Sequence, residues 1–120
     1  MFIDLDRFKE VNDTLGHMEG DRVLHRVGAC ASGLLRGSDV AGRLGGDEFA
    51  VLLLEADKHA GDRFLRRFRA GLNELVQRGD LPAFFDYSAG SAHFPTEADG
   101  SSALLRLADT RQYGIKNAKR

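Results

Sequence analysis

The chain has 120 residues, 42% of them hydrophobic, which is one domain's worth with enough apolar side chains for a modest core. Its 17 Lys and Arg balance 18 Asp and Glu for a formal net charge of −1. That argues against general nucleic-acid or anionic-membrane binding, which needs a basic surplus, but leaves room for a single nucleotide held by a few placed cations. No apolar run is long enough to cross a bilayer, no secretory leader is visible, and the single Cys30 cannot close an internal disulfide. A cytoplasmic, reducing setting is expected, with Cys30 as a small buried side chain in a helical pattern.

The elements follow in chain order. Phe2-Ile3-Asp4-Leu5-Asp6 reads as a short apolar strand with aspartates two apart. Positions two apart on a strand share a face, so Asp4 and Asp6 point the same way if the strand runs through both; if it ends at Leu5, only Asp4 is fixed. Phe8 to Leu15 reads as a helical turn or loop carrying Asn12-Asp13, and Gly16 and Gly20 break the chain around His17. From Asp21 to Leu35 the positions Val23, Leu24, Val27, Ala31, Leu34 and Leu35 keep helical spacing, with Asp21 placed to cap the N-terminus. Gly37-Ser38-Asp39 ends that helix.

Val40 to Leu44 and Phe49 to Leu54 are strand-like, and Gly45-Gly46-Asp47-Glu48 between them predicts a hairpin turn. A glycine pair lets a ligand approach the backbone, and adjacent carboxylates can hold a hard cation. Mg²⁺ usually needs only one or two protein carboxylates, with water and substrate phosphate completing its shell, and Asp4 and Asp47 on neighbouring strands could supply them. A helix is expected from about 57 to 78, burying Phe64, Leu65, Phe68, Leu72, Leu75 and Val76 and leaving Arg66, Arg67 and Arg69 largely in solvent. Gly79 to Pro82 is a turn, and Ala83 to Phe94 a strand with Ala89-Gly90 weakening it or marking a bulge. After a loop to Gly100, Ser101 or Ser102 caps a last helix whose apolar face is Leu104, Leu105, Leu107 and Ala108. His25, His59 and His93 have no ligand spacing and are expected on the surface. The order is β-α-β-β-α-β-α: an α+β, ferredoxin-like βαββαβ core with helices on one face of a mostly antiparallel sheet.

Gly-Gly-Asp-Glu-Phe at 45–49, with Asp-Leu-Asp-Arg-Phe-Lys at 4–9, Asn12-Asp13, Gly16-His17 and Gly20-Asp21 in the same order and spacing, resembles the GGDEF family of diguanylate cyclases across essentially the whole chain. The resemblance implies a palm-like fold related to nucleotidyl cyclases. It also implies condensation of two GTP into cyclic di-GMP and two pyrophosphates, the two GTP facing each other across a homodimer. Under it, Asp4, Asp47 and the Leu5 carbonyl hold Mg²⁺ or Mn²⁺. Asp47 is also the suggested proton acceptor, Glu48 lies near the ribose and metal, and Lys9 stabilises the transition state. Asn12 and Asp21 read guanine, whose N1–H and amino edge a carboxylate can accept. Phe8 and His17 fall among the substrate-binding positions, His17 ordering the loop that carries Asn12. Lys116 and Arg120 match cations that hold the GTP phosphates. Arg36 and Asp39, with five residues between Asp39 and Gly45, resemble the family's inhibitory site for its own product.

The resemblance also marks departures. The family has a helix and an Asp-x-Leu-Thr-x-Leu-x-Asn-Arg segment ahead of the first strand and a closing strand after the last helix, so a single domain over 1–120, truncated at both ends, is expected. An upstream sensory or receiver domain is implied. Ser88-Ala89-Gly90 stands where Ser-Ile-Gly is usual, and the glycine usual before Arg120 is replaced by Lys119. Two other functions compete: a weak or inactive GTP- or cyclic di-GMP-binding regulatory module, and a different palm-type nucleotidyl transferase, which the guanine readers disfavour.

Overall fold

The structure is a computed structural model that describes residues 1–119. The chain runs β1 (Phe2–Asp6), α1 (Phe8–Leu15), α2 (His17–Gly33), β2 (Val40–Gly45), β3 (Glu48–Leu52), α3 (Ala60–Gln77), β4 (Asp86–Gly90) and α4 (Ser101–Ala118). The strands form one antiparallel sheet in the order β2-β3-β1-β4, so the first strand is central. Among the described residues no helix is long and apolar enough to cross a membrane.

Strand alternation explains why β1 carries both core and site. Ile3 and Leu5 are each 1% exposed and face α2 and α3 together with Phe49, Val51 and Tyr87. Helical spacing supplies the other half of that core: Val23, Val27 and Ala31 on α2, and Phe64, Phe68 and Leu72 on α3. Phe68 is fully buried, stacked on Phe64 at 5.6 Å and tilted against Tyr87 at 5.2 Å. Asp4 and Asp6 face the other way, on the side where α4 packs over β1 and β4. That helix lies backbone against backbone on β4: a methyl group at Gly90 would come within 2.2 Å of the Gln112 nitrogen and 2.4 Å of the Ala108 oxygen.

Several expectations are corrected. Helices cover both faces of the sheet, because α4 crosses to the side that α2 and α3 leave open. Residues 8–15 form a complete helix, and α2 begins at His17 rather than Asp21. The chain breaks only at Gly16, whose φ is +88°, while Gly20 is helical and buried, so Asp21 lies in the second turn and caps nothing. Neither Ser101 nor Ser102 caps α4, whose extended N-cap is Gly100. Of its expected apolar face Ala108 is buried and Leu104 and Leu107 are half-buried, but Leu105 is 54% exposed, and Gln112 is buried where the α4 backbone meets Gly90. β4 is shorter than expected, and the sheet's irregularity falls between Arg43 and Gly45, not at Ala89-Gly90.

Three side chains are also used differently. His93 is no free surface residue: its ring nitrogens bond to Thr96 Oγ1 at 2.7 Å and the Ala56 carbonyl at 2.8 Å, fastening the loop after β4. Arg69 lies 4.1 Å over the Tyr87 ring and bonds Asp86 at 2.9 Å instead of merely being solvated. Cys30 is half-buried against α3, and burial, with Glu74 nearby, raises its thiol pKa, which keeps it a poor nucleophile.

Candidate active site

The centre of the sheet gathers the acidic residues at one edge. Asp4 lies opposite Glu48 in the β1–β3 pairing, so both project from the same face. The pairing continues into the turn, where the Leu5 N–H donates to the Asp47 carbonyl at 3.1 Å. The hairpin loop is the two-residue turn Gly46-Asp47, with φ +51° at Gly46, a conformation that suits glycine. Nothing lies within 4 Å of where a Cβ would stand at Gly45 or Gly46, so the backbone beside the carboxylates is open. Arg43 Nη1 braces the loop through the Gly46 carbonyl at 3.0 Å.

The charges on this edge are closely matched. Lys116 Nζ on α4 donates to Asp4 Oδ2 at 2.8 Å, and this pair raises the lysine's pKa. Asp4 Oδ1 is buried without a hydrogen-bond partner among the described residues. Burial, and next the Asp4 charge, raise the Asp47 pKa above 3.8. One turn along α4, Lys119 Nζ bonds Asp6 Oδ2 at 2.8 Å, Asp86 Oδ2 at 3.2 Å and the Tyr87 carbonyl. Asp6 Oδ1 accepts from the buried Ser88 hydroxyl at 2.9 Å. Burial works to raise the Asp86 pKa, but hydrogen bonds from Arg69, the Tyr87 N–H and Lys119 outweigh it and hold it below 3.8. Two lysines three apart on a helix thus meet two aspartates two apart on a strand.

Among the described residues no group of three or more His, Cys, Asp or Glu side chains is placed to hold a metal. The arrangement nonetheless fits a hard divalent cation that needs only two carboxylates. Asp4 presents an oxygen with no partner among the described residues, and Asp47 sits where a nearby positive charge would favour its ionised form.

The nucleoside-sized groups come from α1 and α2. Arg7, in a left-handed conformation at φ +55°, turns the chain sharply from β1 into α1 and is held by the Phe84 carbonyl at 3.1 Å. That turn opens α1, the helix that carries Phe8, Lys9 and Asn12. Asn12 lies against Gly20: a methyl there would come within 1.9 Å of Asn12 Oδ1, and Phe8 flanks the same contact. Asp21 follows Gly20 and is exposed, as are Lys9 and His17. His17 makes no side-chain hydrogen bond among the described residues, so its expected loop-ordering role finds no contact to carry it. A cleft of about 450 Å³ between α2 and the hairpin, lined by Leu24, His25, Gly28, Arg43 and Phe49 among others, opens one helical turn past Asp21.

Arg36 and Asp39 close on each other at the start of β2. Asp39 accepts from the Arg36 N–H and the Leu54 N–H, each at 3.0 Å, and its side chain is only 3% exposed. These bonds, the Arg36 N–H first, lower its pKa. Arg36 Nη2 donates to the Leu54 carbonyl at 2.7 Å while the side chain stays 63% exposed.

Asp4, Asp47, Glu48 and Lys116 are therefore brought together; Phe8 and Asn12 form a second group, and Arg36 and Asp39 a third. Arg120 lies outside the described residues. The Lys119–Asp6 pair beside this group was not anticipated, although the paired spacing of lysines and aspartates was a signal for it.

The whole chain, residues 1–120, matches the family model described as "Diguanylate cyclase, GGDEF domain". It is 41% identical over 122 residues to the diguanylate cyclase TpbB of Pseudomonas aeruginosa, covering all of this chain and 28% of TpbB. It is 34% identical over 120 residues to the cyclic di-GMP phosphodiesterase PdeR of Escherichia coli, covering 18% of that protein. The crystal structure of the TpbB GGDEF domain superposes with a TM-score of 0.83 at 40% identity, covering 98% of this chain and 74% of that one. The chain thus spans about a third or less of the curated relatives it matches.

Proposed function

The chain belongs to the GGDEF family of diguanylate cyclases, and from that membership and the site geometry we propose that it condenses two GTP into cyclic di-GMP and two pyrophosphates. The observation that carries the reading is the placement of Asp4 beside Asp47, with Glu48 opposite and Lys116 in contact, at the edge that holds the open glycine turn. In each half-reaction a ribose 3′-oxygen bonds to the α-phosphorus of the facing GTP. The bond from that phosphorus to the bridging oxygen breaks, pyrophosphate leaves, and the 3′-proton departs through the Asp47–Glu48 pair. Mg²⁺ or Mn²⁺ held by Asp4, Asp47 and the Leu5 carbonyl would supply positive charge to the phosphates.

The chain's own groups divide the remaining work. Asn12 and Asp21 offer the acceptor and donor set that guanine requires and adenine does not match. Phe8 backs Asn12, and His17 borders the same helix start. Lys9 approaches the transferring phosphoryl group, and Lys116, with Arg120, takes phosphate charge. Two copies, each with one GTP, complete the reaction in the cytoplasm, under an attached sensory or receiver domain. Arg36, whose guanidinium reaches solvent, takes the guanine O6/N7 edge of cyclic di-GMP beside Asp39, giving non-competitive product inhibition that Arg36→Ala relieves.

Incubation with GTP and Mg²⁺ followed by chromatography tests the reaction. Cyclic di-GMP is expected from the parent and not from Asp47→Ala or Glu48→Ala; equal product from all three would refute the assignment. The similarity to PdeR favours one second reading, a GTP-binding module without turnover. Saturable GTP binding, lost in Asp21→Ala, with no product would establish it instead.

A further inference from the structure

After Gln112 no described residue of α4 is buried, and the helix runs on for about 10 Å beyond that point. Its fixed contact is the backbone approach of Ala108, Arg111 and Gln112 to Gly90. Beyond it, the side-chain hydrogen bonds of this stretch come from two lysines, Lys116 to Asp4 and Lys119 to Asp6, Asp86 and the Tyr87 carbonyl. In the proposed reaction Lys116 must leave Asp4 for a phosphate. Among the described residues Lys119 is then the remaining side-chain hydrogen-bonding tie that stops the helix end from swinging about Gly90.

We propose that Lys119 is a positioning residue that holds the end of α4 in register over β1 and β4, so that Lys116 meets the GTP phosphates without first being ordered. This rests on the reading of Lys116 as a phosphate-holding cation. Lys119 suits the task for three reasons. It has three donors and three acceptors on two strands. Asp86 is itself fixed from the opposite face by Arg69 at 2.9 Å. As a cation at a helix C-terminus it is also favoured by the helix dipole. No contact with substrate is assigned to it.

The test measures equilibrium binding of α,β-methylene-GTP with Mg²⁺ by calorimetry, and KM and kcat for GTP, in the full chain. The variants are Lys119→Met, Lys119→Arg, Lys116→Met and the Lys116→Met/Lys119→Met double. Lys119→Met is expected to weaken binding and raise KM about three- to tenfold, the cost of ordering one long side chain on binding, with kcat at saturation retained. Lys119→Arg, which keeps the charge and can fork between Asp6 and Asp86, restores most of the loss. The double variant binds no more weakly than Lys116→Met alone, because Lys119 acts through Lys116. Unchanged binding in Lys119→Met, even with a lowered melting temperature, would overturn the proposal, as would additive losses in the double variant. If Lys116→Met binds as the parent does, the phosphate role of Lys116 fails first, and the proposal falls with it.

Discussion

Replacing Gly20 with alanine should separate folding from recognition. The added methyl would stand 1.9 Å from Asn12 Oδ1, 3.1 Å from Asn12 Cγ and 3.4 Å from Phe8 Cζ. The offending atom is the tip of a side chain, so Asn12 can turn away by about 1.5 Å to regain an ordinary C···O contact without moving either helix. Alanine inside a helix gains about 0.8–1.0 kcal/mol over glycine. An off-rotamer Asn12 costs about 0.5–1.5 kcal/mol, so global stability should stay within about 1 kcal/mol of the parent. Recognition has no such offset. A misplaced amide leaves a guanine hydrogen bond unmade, worth about 1–3 kcal/mol, or about five- to 150-fold in GTP affinity. Calorimetry with GTP and ATP, beside thermal unfolding followed by circular dichroism, measures both quantities. Parent-like GTP affinity in a folded Gly20→Ala protein would refute the assignment of Asn12 to the base.

At Gly90 the same substitution meets backbone instead of a side-chain tip. Gly90→Ala should therefore push α4 off β4 and cost about 3 kcal/mol, read as a lowered urea midpoint, and a loss under about 1 kcal/mol would refute the packing argument. Asp39 has a lowered folded-state pKa, so its stabilising contribution is fully present above the ordinary value of 3.8 and is lost as the pH falls from there through the folded value. Parent and Asp39→Ala stabilities should accordingly converge at low pH, and a gap constant from neutral to strongly acid pH would contradict this. Mg²⁺ at ten times its Kd should stabilise the parent by about 1.4 kcal/mol in thermal unfolding. At matched ionic strength Asp4→Asn should lose that gain, and retention of it would move the cation elsewhere.

The sequence carried most of the architecture because its periodicities are regular where the core is regular. Phe64, Phe68 and Leu72 sit four apart, and β1 alternates over its full length, so α3 and β1 were legible. Legibility failed where tertiary contact overrode a local rule. Gly20 looks like a helix breaker, yet it is buried inside α2 because Asn12 needs the space a side chain would take. The apolar pattern of α4 marks Ala108 correctly, yet it also points to Leu105, which is exposed, and gives no sign of Gln112, which backbone contact with Gly90 buries. The carboxylate pair and Lys116 were readable from the motif and its spacing. Lys119 was noticed only as a missing glycine, because its value depends on Asp6, Asp86 and Tyr87 converging on it, which no local pattern encodes.

The central position of β1 has a kinetic consequence. Only the β2–β3 hairpin pairs residues close in sequence; β1 must find β3 and then β4, and Ser88 meets Asp6 across 82 positions. Lys116 and Asp4 are separated by 112. Loop closure grows only slowly in cost with length, about 0.6 kcal/mol per doubling, so the effect lies less in stability than in timing. During synthesis the hairpin turn with its two carboxylates can form early, but Asp4 waits for a partner made 112 positions later. The charged centre therefore comes into being only on a chain whose sheet and last helix are both in place, and a nascent or partly unfolded copy does not contain it.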